Sequence, residues 1–353
     1  TQGWRYTLAL QFLSSSHTYP QFLASPSHFT HILKPTTTMF ARIYWVTALL
    51  VLPLCTGREI KPYIPRAIPC PPDADILPCV CTVQSSVDMY MDCSAVTSSE
   101  ELRTIFSINF PFVNFIRLDI IGNTALTELR AGDLGPTTYK EIYITGGVLE
   151  IIDENALSGS YSTLTTLDLQ SNELTSFQFD EISSFEALHT LRVDDNDFKI
   201  FPDISSTSLL FLSFGSNPLG AITNTALTNM PNLIEVDLQN CSLTDVPAGT
   251  FTGLRSLEMI HLDYNSLTSI DTNVISLSSS YSIVYLNNNQ IANIAPGALE
   301  GVKTEVWLQN NQMTVLDEEL WRPLFNGGLV LFASNNPLTC DCSIAWLVLQ
   351  GTY

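Results

Sequence analysis

One apolar pattern returns about every two dozen residues along the chain. Its clearest copy is LEMIHLDYNSL, residues 257–267, with apolar side chains at the first, fourth, sixth and eleventh positions. The alternation of Ile260, His261 and Leu262 predicts a short strand whose two apolar side chains point to the same side. Asn265 follows where the chain leaves this strand. Its side-chain amide can therefore bond backbone groups that the bend leaves without partners.

The same phase can be followed through ten copies, with the position of Asn265 as the marker. The marker residues are Asn123, Gly147, Asn172, Asn196, Asn217, Cys241, Asn265, Asn289, Asn311 and Asn336, at intervals of 21 to 25 residues. One unit cannot bury its own apolar residues, so the units must stack, and stacking produces a solenoid. The pattern L-x-x-L-x-L-x-x-N-x-L is that of a leucine-rich repeat. The sequence thus predicts an α/β leucine-rich repeat solenoid: a curved horseshoe with a parallel sheet on its concave face and an irregular or short-helical convex side.

The start of the chain shows no such period. Residues 1–38 contain no Asp or Glu, whereas residues 39–57, MFARIYWVTALLVLPLCTG, contain a basic residue, then an apolar stretch, then small residues. This order predicts a secretory signal peptide over residues 39–57, with an apolar stretch too short to span a bilayer. We expect residues 1–38 to lie upstream of the mature protein. A genuine disordered extension is the alternative.

Acidic residues are concentrated in the predicted mature part. All 35 acidic residues, but only 12 of the 15 basic residues, follow position 57. Such a surface repels nucleic acid and anionic membrane surfaces and favours solubility. It excludes these two classes of partner and does not identify one.

Four cysteines immediately precede the repeats, in a predicted linker and cap over residues 58–94. A solenoid end exposes apolar residues and an unpaired strand edge, so a cross-linked cap is needed there. In an oxidising compartment disulfides are favoured over a zinc site, which is the competing interpretation. The segment resembles the N-terminal cap of extracellular leucine-rich repeat proteins. That resemblance implies disulfides between Cys70 and Cys81 and between Cys79 and Cys93.

The segment Asn335 to Leu349 resembles the C-terminal cap of the same proteins. Such caps contain two further cysteines that pair with Cys340 and Cys342. Those cysteines are absent, so we expect a fragment in which a truncated cap, residues 339–353, follows repeats over residues 95–338, and in which no membrane segment is visible. The marker residue Cys241 is expected to be a buried free thiol.

The residues between the inward-facing positions predict the surface of the concave face. Its middle column reads Asp119, Tyr143, Asp168, Arg192, Ser213, Asp237, His261, Tyr285, Trp307 and Phe332. Adjacent strands lie about 5 Å apart, so the aromatic residues of the C-terminal third can form an anchor for a protein or an aromatic ligand. We predict a binding patch of Tyr264, Tyr285, Trp307, Phe332, His261, Asp237 and Asp263. The alternatives are aromatic rings that pack on one another or under the C-terminal cap, and acidic residues that only form a solvated surface.

Catalytic and metal-binding motifs are scarce. After the predicted signal peptide only His189 and His261 remain as histidines, and neither has a paired nucleophile or belongs to a metal-binding motif. Asp194 and Asp197 belong to an acidic run that lacks the Gly and the Glu of an EF-hand loop. The sequence therefore predicts no catalytic residues, no metal and no cofactor.

Several segments contain residues that the general leucine-rich repeat pattern does not require. They are CVC at 79–81, MDCSAVTS at 91–98, ALSGSYSTL at 156–164, DEISSF at 180–185 and NPLTCDCSIAWLVL at 336–349. Through them the chain resembles a family of crustacean secreted leucine-rich repeat proteins named for the non-catalytic subunit of Oplophorus-luciferin 2-monooxygenase. In that luciferase the chemistry belongs to a separate small subunit. The resemblance implies a secreted, non-enzymatic scaffold that binds another secreted protein, such as a small catalytic luciferase subunit.

Two other functions stay open on the sequence. The first is the ectodomain of a Toll-like or matrix-type leucine-rich repeat receptor. The second is a direct part in the monooxygenase chemistry, with Trp307 and Tyr285 lining a luciferin site.

Overall fold

The computed structural model describes residues 70–84, 88–339 and 341–349. The predicted upstream segment 1–38 and signal peptide 39–57 lie outside the described residues. Within the described residues, no helix has both the length and the apolar character needed to cross a membrane. The domain boundaries given above remain predictions.

A sheet of twelve strands follows the chain from the N-terminal cap to the last repeat. The described residues contain eighteen strands, twelve of them in this sheet: β1 (Val80–Val83), β2 (Met89–Asp92), β3 (Asn114–Ile121), β4 (Glu128–Leu129), β5 (Thr138–Thr145), β6 (Ile151–Ile152), β7 (Thr166–Asp168), β8 (Thr190–Arg192), β9 (Phe211–Ser213), β10 (Glu235–Asp237), β11 (Met259–His261), β12 (Ser269–Ile270), β13 (Ile275–Ser276), β14 (Ile283–Tyr285), β15 (Asn293–Ile294), β16 (Leu299–Glu300), β17 (Glu305–Trp307) and β18 (Val330–Phe332). The long sheet has the order β1-β2-β3-β5-β7-β8-β9-β10-β11-β14-β17-β18. β1 is antiparallel to β2, and each later pair is parallel because every repeat enters its strand in the same direction.

The connecting segments of the repeats contain only short regular elements. The pairs β4–β6, β12–β15 and β13–β16 form two-stranded parallel ladders. The helices are α1 (Asp73–Ile76), α2 (Ser99–Phe106), α3 (Glu318–Asn326) and α4 (Ala345–Leu349), with 3₁₀ turns at Ser158–Ser160, Phe179–Ser184 and Cys342–Ile344. α2 and α3 are preceded by the N-cap residues Ser98 and Asp317, whose side chains accept backbone N–H groups of the first turn and so satisfy donors that have no partner inside the helix.

Alternate residues of the strands share one interior. Leu262, Leu286 and Leu308, which follow three adjacent strands, are completely buried. Burying a leucine side chain stabilises a fold by roughly 1.5–3 kcal/mol, so the stacking of repeats provides the stability that one repeat lacks. Burial decreases at the C-terminal end, where Leu331 of β18 is only half-buried. The predicted leucine-rich repeat solenoid is confirmed.

The marker residues form a ladder of side-chain hydrogen bonds inside the bend. The Nδ2 of Asn265 donates to the carbonyl oxygens of Leu238 at 2.8 Å and Leu262 at 3.0 Å. Its Oδ1 accepts the N–H groups of Cys241 and Leu243, both at 2.9 Å. Asn265 therefore bonds its own repeat and the preceding one, and the predicted bonding of backbone groups at the bend by its amide is confirmed; the marker Gly147 has no side chain that could do the same.

Cys241 occupies the marker position with a thiol. Its Sγ lies 3.3 Å from the carbonyl oxygen of Phe214, the same kind of acceptor that the asparagine markers use. Burial raises the pKa of this thiol to about 12, so it remains protonated and serves as a weak donor. The predicted buried free thiol is confirmed.

The N-terminal cap contains both predicted disulfides. Cys70 is bonded to Cys81, and Cys79 is bonded to Cys93. These four sulfur atoms are consumed in covalent bonds, which rules out the alternative zinc site that would have used them. At the other end Cys342 is free and exposed, and Cys340 lies outside the described residues.

Candidate binding face of the long sheet

The outward side chains of the long sheet form one surface, which we call the strand face. Its middle column consists of Asp119, Tyr143, Asp168, Arg192, Ser213, Asp237, His261, Tyr285, Trp307 and Phe332, each paired in register with the next. The register therefore places the ten predicted residues side by side. Flanking columns stand two residues before and two residues after, because alternate residues of a strand share a face.

Four side chains of this column form a continuous stack, which we call the aromatic ridge: His261, Tyr285, Trp307 and Phe332. Ring centroids are 4.5 Å apart for His261 and Tyr285, 5.7 Å for Tyr285 and Trp307, and 4.2 Å for Trp307 and Phe332. All four are half-buried. The rings pack on one another and still reach solvent, so they present their edges to a partner while their faces are largely used within the ridge.

Two rings of the ridge lie against glutamate side chains. Nε1 of Trp307 donates to Oε2 of Glu305 at 2.8 Å. Nε2 of His261 lies 3.2 Å from Oε1 of Glu235, outside hydrogen-bond geometry but within ion-pair distance. Burial lowers the pKa of His261, but the Glu235 contact and the charge of Asp237 outweigh it and raise the pKa overall. These contacts restrain the orientations of the His261 and Trp307 rings before any partner binds.

Acidic residues surround the N-terminal end of the ridge. Burial raises the pKa of Asp263, and burial followed by the charge of Asp237 raises the pKa of Asp194 to about 6, against the opposing hydrogen bond from Ser213. Oδ1 of Asp194 also accepts the N–H of Gly215 at 3.1 Å. A Cβ on Gly215 would lie 3.0 Å from that same oxygen, so glycine there gives the carboxylate room to reach the backbone.

In the N-terminal half of the strand face, arginine and aspartate side chains contact one another. Arg117 contacts Asp119 at 2.5 Å, and its guanidinium lies 4.0 Å from the ring centroid of Tyr143. Arg192 lies 3.9 Å from Asp168 and 3.7 Å from Asp194. The column neighbours of Tyr143 are Asp119 and Asp168, so its ring is covered by Arg117 and not by another aromatic ring as at Tyr285.

Tyr264 lies outside the ridge, although the sequence predicts it in the same patch. It is the residue before the marker, in the left-handed backbone region with φ +56°, and its side chain is 45% exposed. In the other nine repeats this position holds Gly122, Gly146, Ser171, Asp195, Ser216, Asn240, Asn288, Asn310 or Asn335, all with positive φ. Bulky residues rarely adopt this conformation, so Tyr264 is the strained member of the series.

The structure thus brings together six of the seven predicted patch residues. His261, Tyr285, Trp307 and Phe332 form the ridge, and Asp237 and Asp263 lie at its N-terminal end; Tyr264 projects from the bend beside Asp263. The prediction omits Glu235 and Glu305, which hold the His261 and Trp307 rings. The available signal was that Glu305 stands two residues before Trp307 on the same strand, and that Glu235 stands on the strand next to that of His261, two residues before Asp237. Among the described residues, no group of three or more His, Cys, Asp or Glu side chains could hold a metal.

Comparisons with known proteins agree with this architecture. The family model described as Leucine rich repeat matches residues 207–267 and 231–291. A chain of the octameric complex of Latrophilin 3, Unc5D and FLRT2 superposes with a TM-score of 0.59 at 24% identity, over 71% of this chain and 76% of that one. Together with the repeats and the long sheet, these matches define a leucine-rich repeat protein.

The sequence relatives narrow the family. Lumican of Gallus gallus is 28% identical over 202 residues, which are 56% of this chain and 58% of lumican. The Oplophorus-luciferin 2-monooxygenase non-catalytic subunit of Oplophorus gracilirostris is 39% identical over 287 residues, 80% of each chain. This chain belongs to the same leucine-rich repeat family as that non-catalytic subunit.

Proposed function

We propose that this protein is an extracellular, non-enzymatic subunit that binds a partner protein through the aromatic ridge. The observation that carries the proposal is the ridge itself: four stacked rings, fixed by Glu235 and Glu305 and still reaching solvent. Rigid aromatic anchors supply much of the free energy of protein association at low cost in conformational entropy.

The proposed partner is the catalytic subunit of a luciferin 2-monooxygenase-like complex. The support is the printed name of the Oplophorus relative, a non-catalytic subunit, which implies a catalytic counterpart. A secreted scaffold that places its partner on a rigid sheet needs no reactive group of its own. The role of this chain is then to bind and stabilise.

The competing proposal of direct luciferin chemistry is less compatible with the ridge. A planar ligand between two rings needs van der Waals contact of about 3.5 Å on each side, or about 7 Å in total. The rings of Tyr285 and Trp307 are 5.7 Å apart. This spacing favours an edge-on protein contact over insertion of a luciferin between these rings.

Complex formation tests the proposal. The full chain is mixed with the purified catalytic subunit of the Oplophorus enzyme, and light scattering after gel filtration gives the mass of the complex. We expect a complex with the unmodified chain and its loss with Trp307→Ala. Absence of a complex with the unmodified chain, or light emission by this chain alone with luciferin, contradicts the proposal.

The lumican match supports a second candidate, a structural protein of the extracellular matrix. Fractionation of the native tissue separates the two. A matrix protein stays with the insoluble fraction, whereas a subunit of a secreted enzyme is recovered in solution with its partner.

A further inference from the structure

The two halves of the strand face differ in how their carboxylates are neutralised. Arg117 and Arg192 contact the acidic residues of the N-terminal half. From β10 onward the three columns hold Glu235, Asp237, Gln239, Met259, His261, Asp263, Ile283, Tyr285, Asn287, Glu305, Trp307, Gln309, Val330, Phe332 and Ser334. Neither Lys nor Arg occurs in this set, so four carboxylates share one histidine.

These carboxylates surround the apolar ridge. Glu235 and Glu305 stand in the column before it and Asp263 in the column after it, about 7 Å from the middle column by the spacing of alternate strand residues. Asp237 lies at the N-terminal end, one strand from His261. A partner that covers the ridge therefore also removes water from this rim.

Dehydration of the rim decides the chemistry of the partner. A carboxylate that loses its water without gaining a counter-charge is costly, often by more than the apolar contact beside it gains. Of the two Glu305 oxygens, one already accepts the Trp307 indole and the other remains for a partner. The ring faces are used within the ridge, so a cation finds its main acceptors on the carboxylates.

We propose that the segment which docks on the ridge is basic, with Arg or Lys side chains placed beside an apolar side chain. The apolar side chain covers the ring edges of Tyr285 and Trp307, and the cations pair with Glu305, Asp263 and Glu235. This inference rests on the proposed function, since it specifies the chemistry of the partner at the same surface. The strong excess of acidic residues after position 57 also favours approach of a basic segment from a distance.

Matched peptides test the chemistry directly. The probes are a decapeptide in which leucine alternates with arginine and the same decapeptide with glutamine in place of arginine. Fluorescence of the full chain, checked with Trp307→Phe, reports binding. We expect the arginine peptide to bind at least about tenfold more tightly than the glutamine peptide, with a difference that shrinks as salt increases.

Charge-neutralising variants separate a local rim from the general negative charge of the protein. Glu235→Gln with Asp263→Asn and Glu305→Gln is expected to weaken binding of the arginine peptide about tenfold. The control changes three exposed acidic residues of the connecting segments, Glu150→Gln, Glu186→Gln and Asp245→Asn, and is expected to stay within about twofold. If the buried Asp263 change prevents folding, the double variant Glu235→Gln with Glu305→Gln replaces the triple one.

The outcomes distinguish this inference from the proposed function. Equal binding of both peptides, or equal weakening by the rim and control variants, overturns the basic-segment inference. If Trp307→Ala nevertheless abolishes the complex with the catalytic subunit, the proposed function stands. Failure of that complex with the unmodified chain overturns the proposed function regardless of the peptide result.

Discussion

The N-terminal and C-terminal halves of the strand face use one backbone register for opposite purposes. Tyr143 and Tyr285 occupy the same column of the sheet, yet a guanidinium covers Tyr143 while Tyr285 stacks between His261 and Trp307. In the N-terminal half, Arg117 pairs with Asp119 and covers the ring of Tyr143. In the second half the rings form a ridge whose four rim carboxylates have only His261 as a basic neighbour within the three columns, and this is where we propose that a partner binds.

The largest expected effect comes from the same substitution in the two halves. Tyr285→Ala interrupts the ridge at its centre, and we expect a loss of about 2–3 kcal/mol of partner binding, or about 100-fold in Kd. Tyr143→Ala is the matched control, with an expected change below about threefold. Isothermal titration with the catalytic subunit measures both, and similar losses in the two variants would remove the distinction between the halves.

The second-largest expected effect is the pH dependence of stability caused by Asp194, which lies at the boundary of the two halves. The pKa of Asp194 is raised from 3.8 to about 6 by burial and by Asp237, so the folded state binds this proton more tightly than the unfolded state. Stability from this group is therefore full below about pH 4 and is lost as the pH rises through 6. Asp194→Asn keeps the acceptor oxygen and is expected to raise the free energy of unfolding at pH 7 by on the order of 2–3 kcal/mol.

The check is urea unfolding of the two proteins at pH 4 and pH 7. The variant should gain stability only at the higher pH, with residual pH dependence from Asp168 and Asp263, whose pKa values burial also raises. An equal gain at both pH values would show that the charge of Asp194 is not the cause.

The third effect concerns backbone strain at Tyr264, the bulky residue with a positive φ in the C-terminal half. Tyr264→Asn places at this left-handed position the residue that Asn240 and Asn288 provide in the adjacent repeats. We expect roughly 1–2 kcal/mol of added stability, read as a higher Tm. The converse change Asn240→Tyr should lower Tm, and unchanged Tm values in both variants would contradict the strain argument.

The smallest effect concerns the contacts that Arg117 makes within the N-terminal half of the strand face. Arg117→Met removes the contact with Asp119 and the coverage of Tyr143, which together are worth roughly 0.5–1 kcal/mol at a partly exposed site. Lys303→Met, on an exposed loop, is the control and should change stability less. Chemical unfolding at low and high salt gives both values, and the Arg117 effect should decrease with salt.

Much of the fold could be predicted because equivalent positions of successive repeats have the same structural environment. The marker at Asn265, the buried Leu262 and the column from Asp119 to Phe332 all follow from one phase, and the register reproduces them. The cap disulfides came from resemblance to other caps, since four cysteines by themselves allow more than one pairing.

The site was less predictable because its chemistry depends on side chains about 24 residues apart. Nothing in the local sequence of Tyr143 states that Arg117 covers it, and nothing near Trp307 states that its face is taken by Phe332. Tyr264 looked like a member of the patch by composition, but it occupies the left-handed position before the marker and not a position in the column. Such outcomes depend on rotamers and on the twist between neighbouring strands.

The sequence by itself determined that the chain is a stack of leucine-rich repeats, which residues point inward and which ten share a column. Hydrophobic burial is strong and periodic, so a sequence pattern is enough to specify it. Only the tertiary structure decided which rings stack, which carboxylates receive an arginine and which position is strained. Those choices rest on short-range contacts between different repeats, and they exist only after the repeats have stacked.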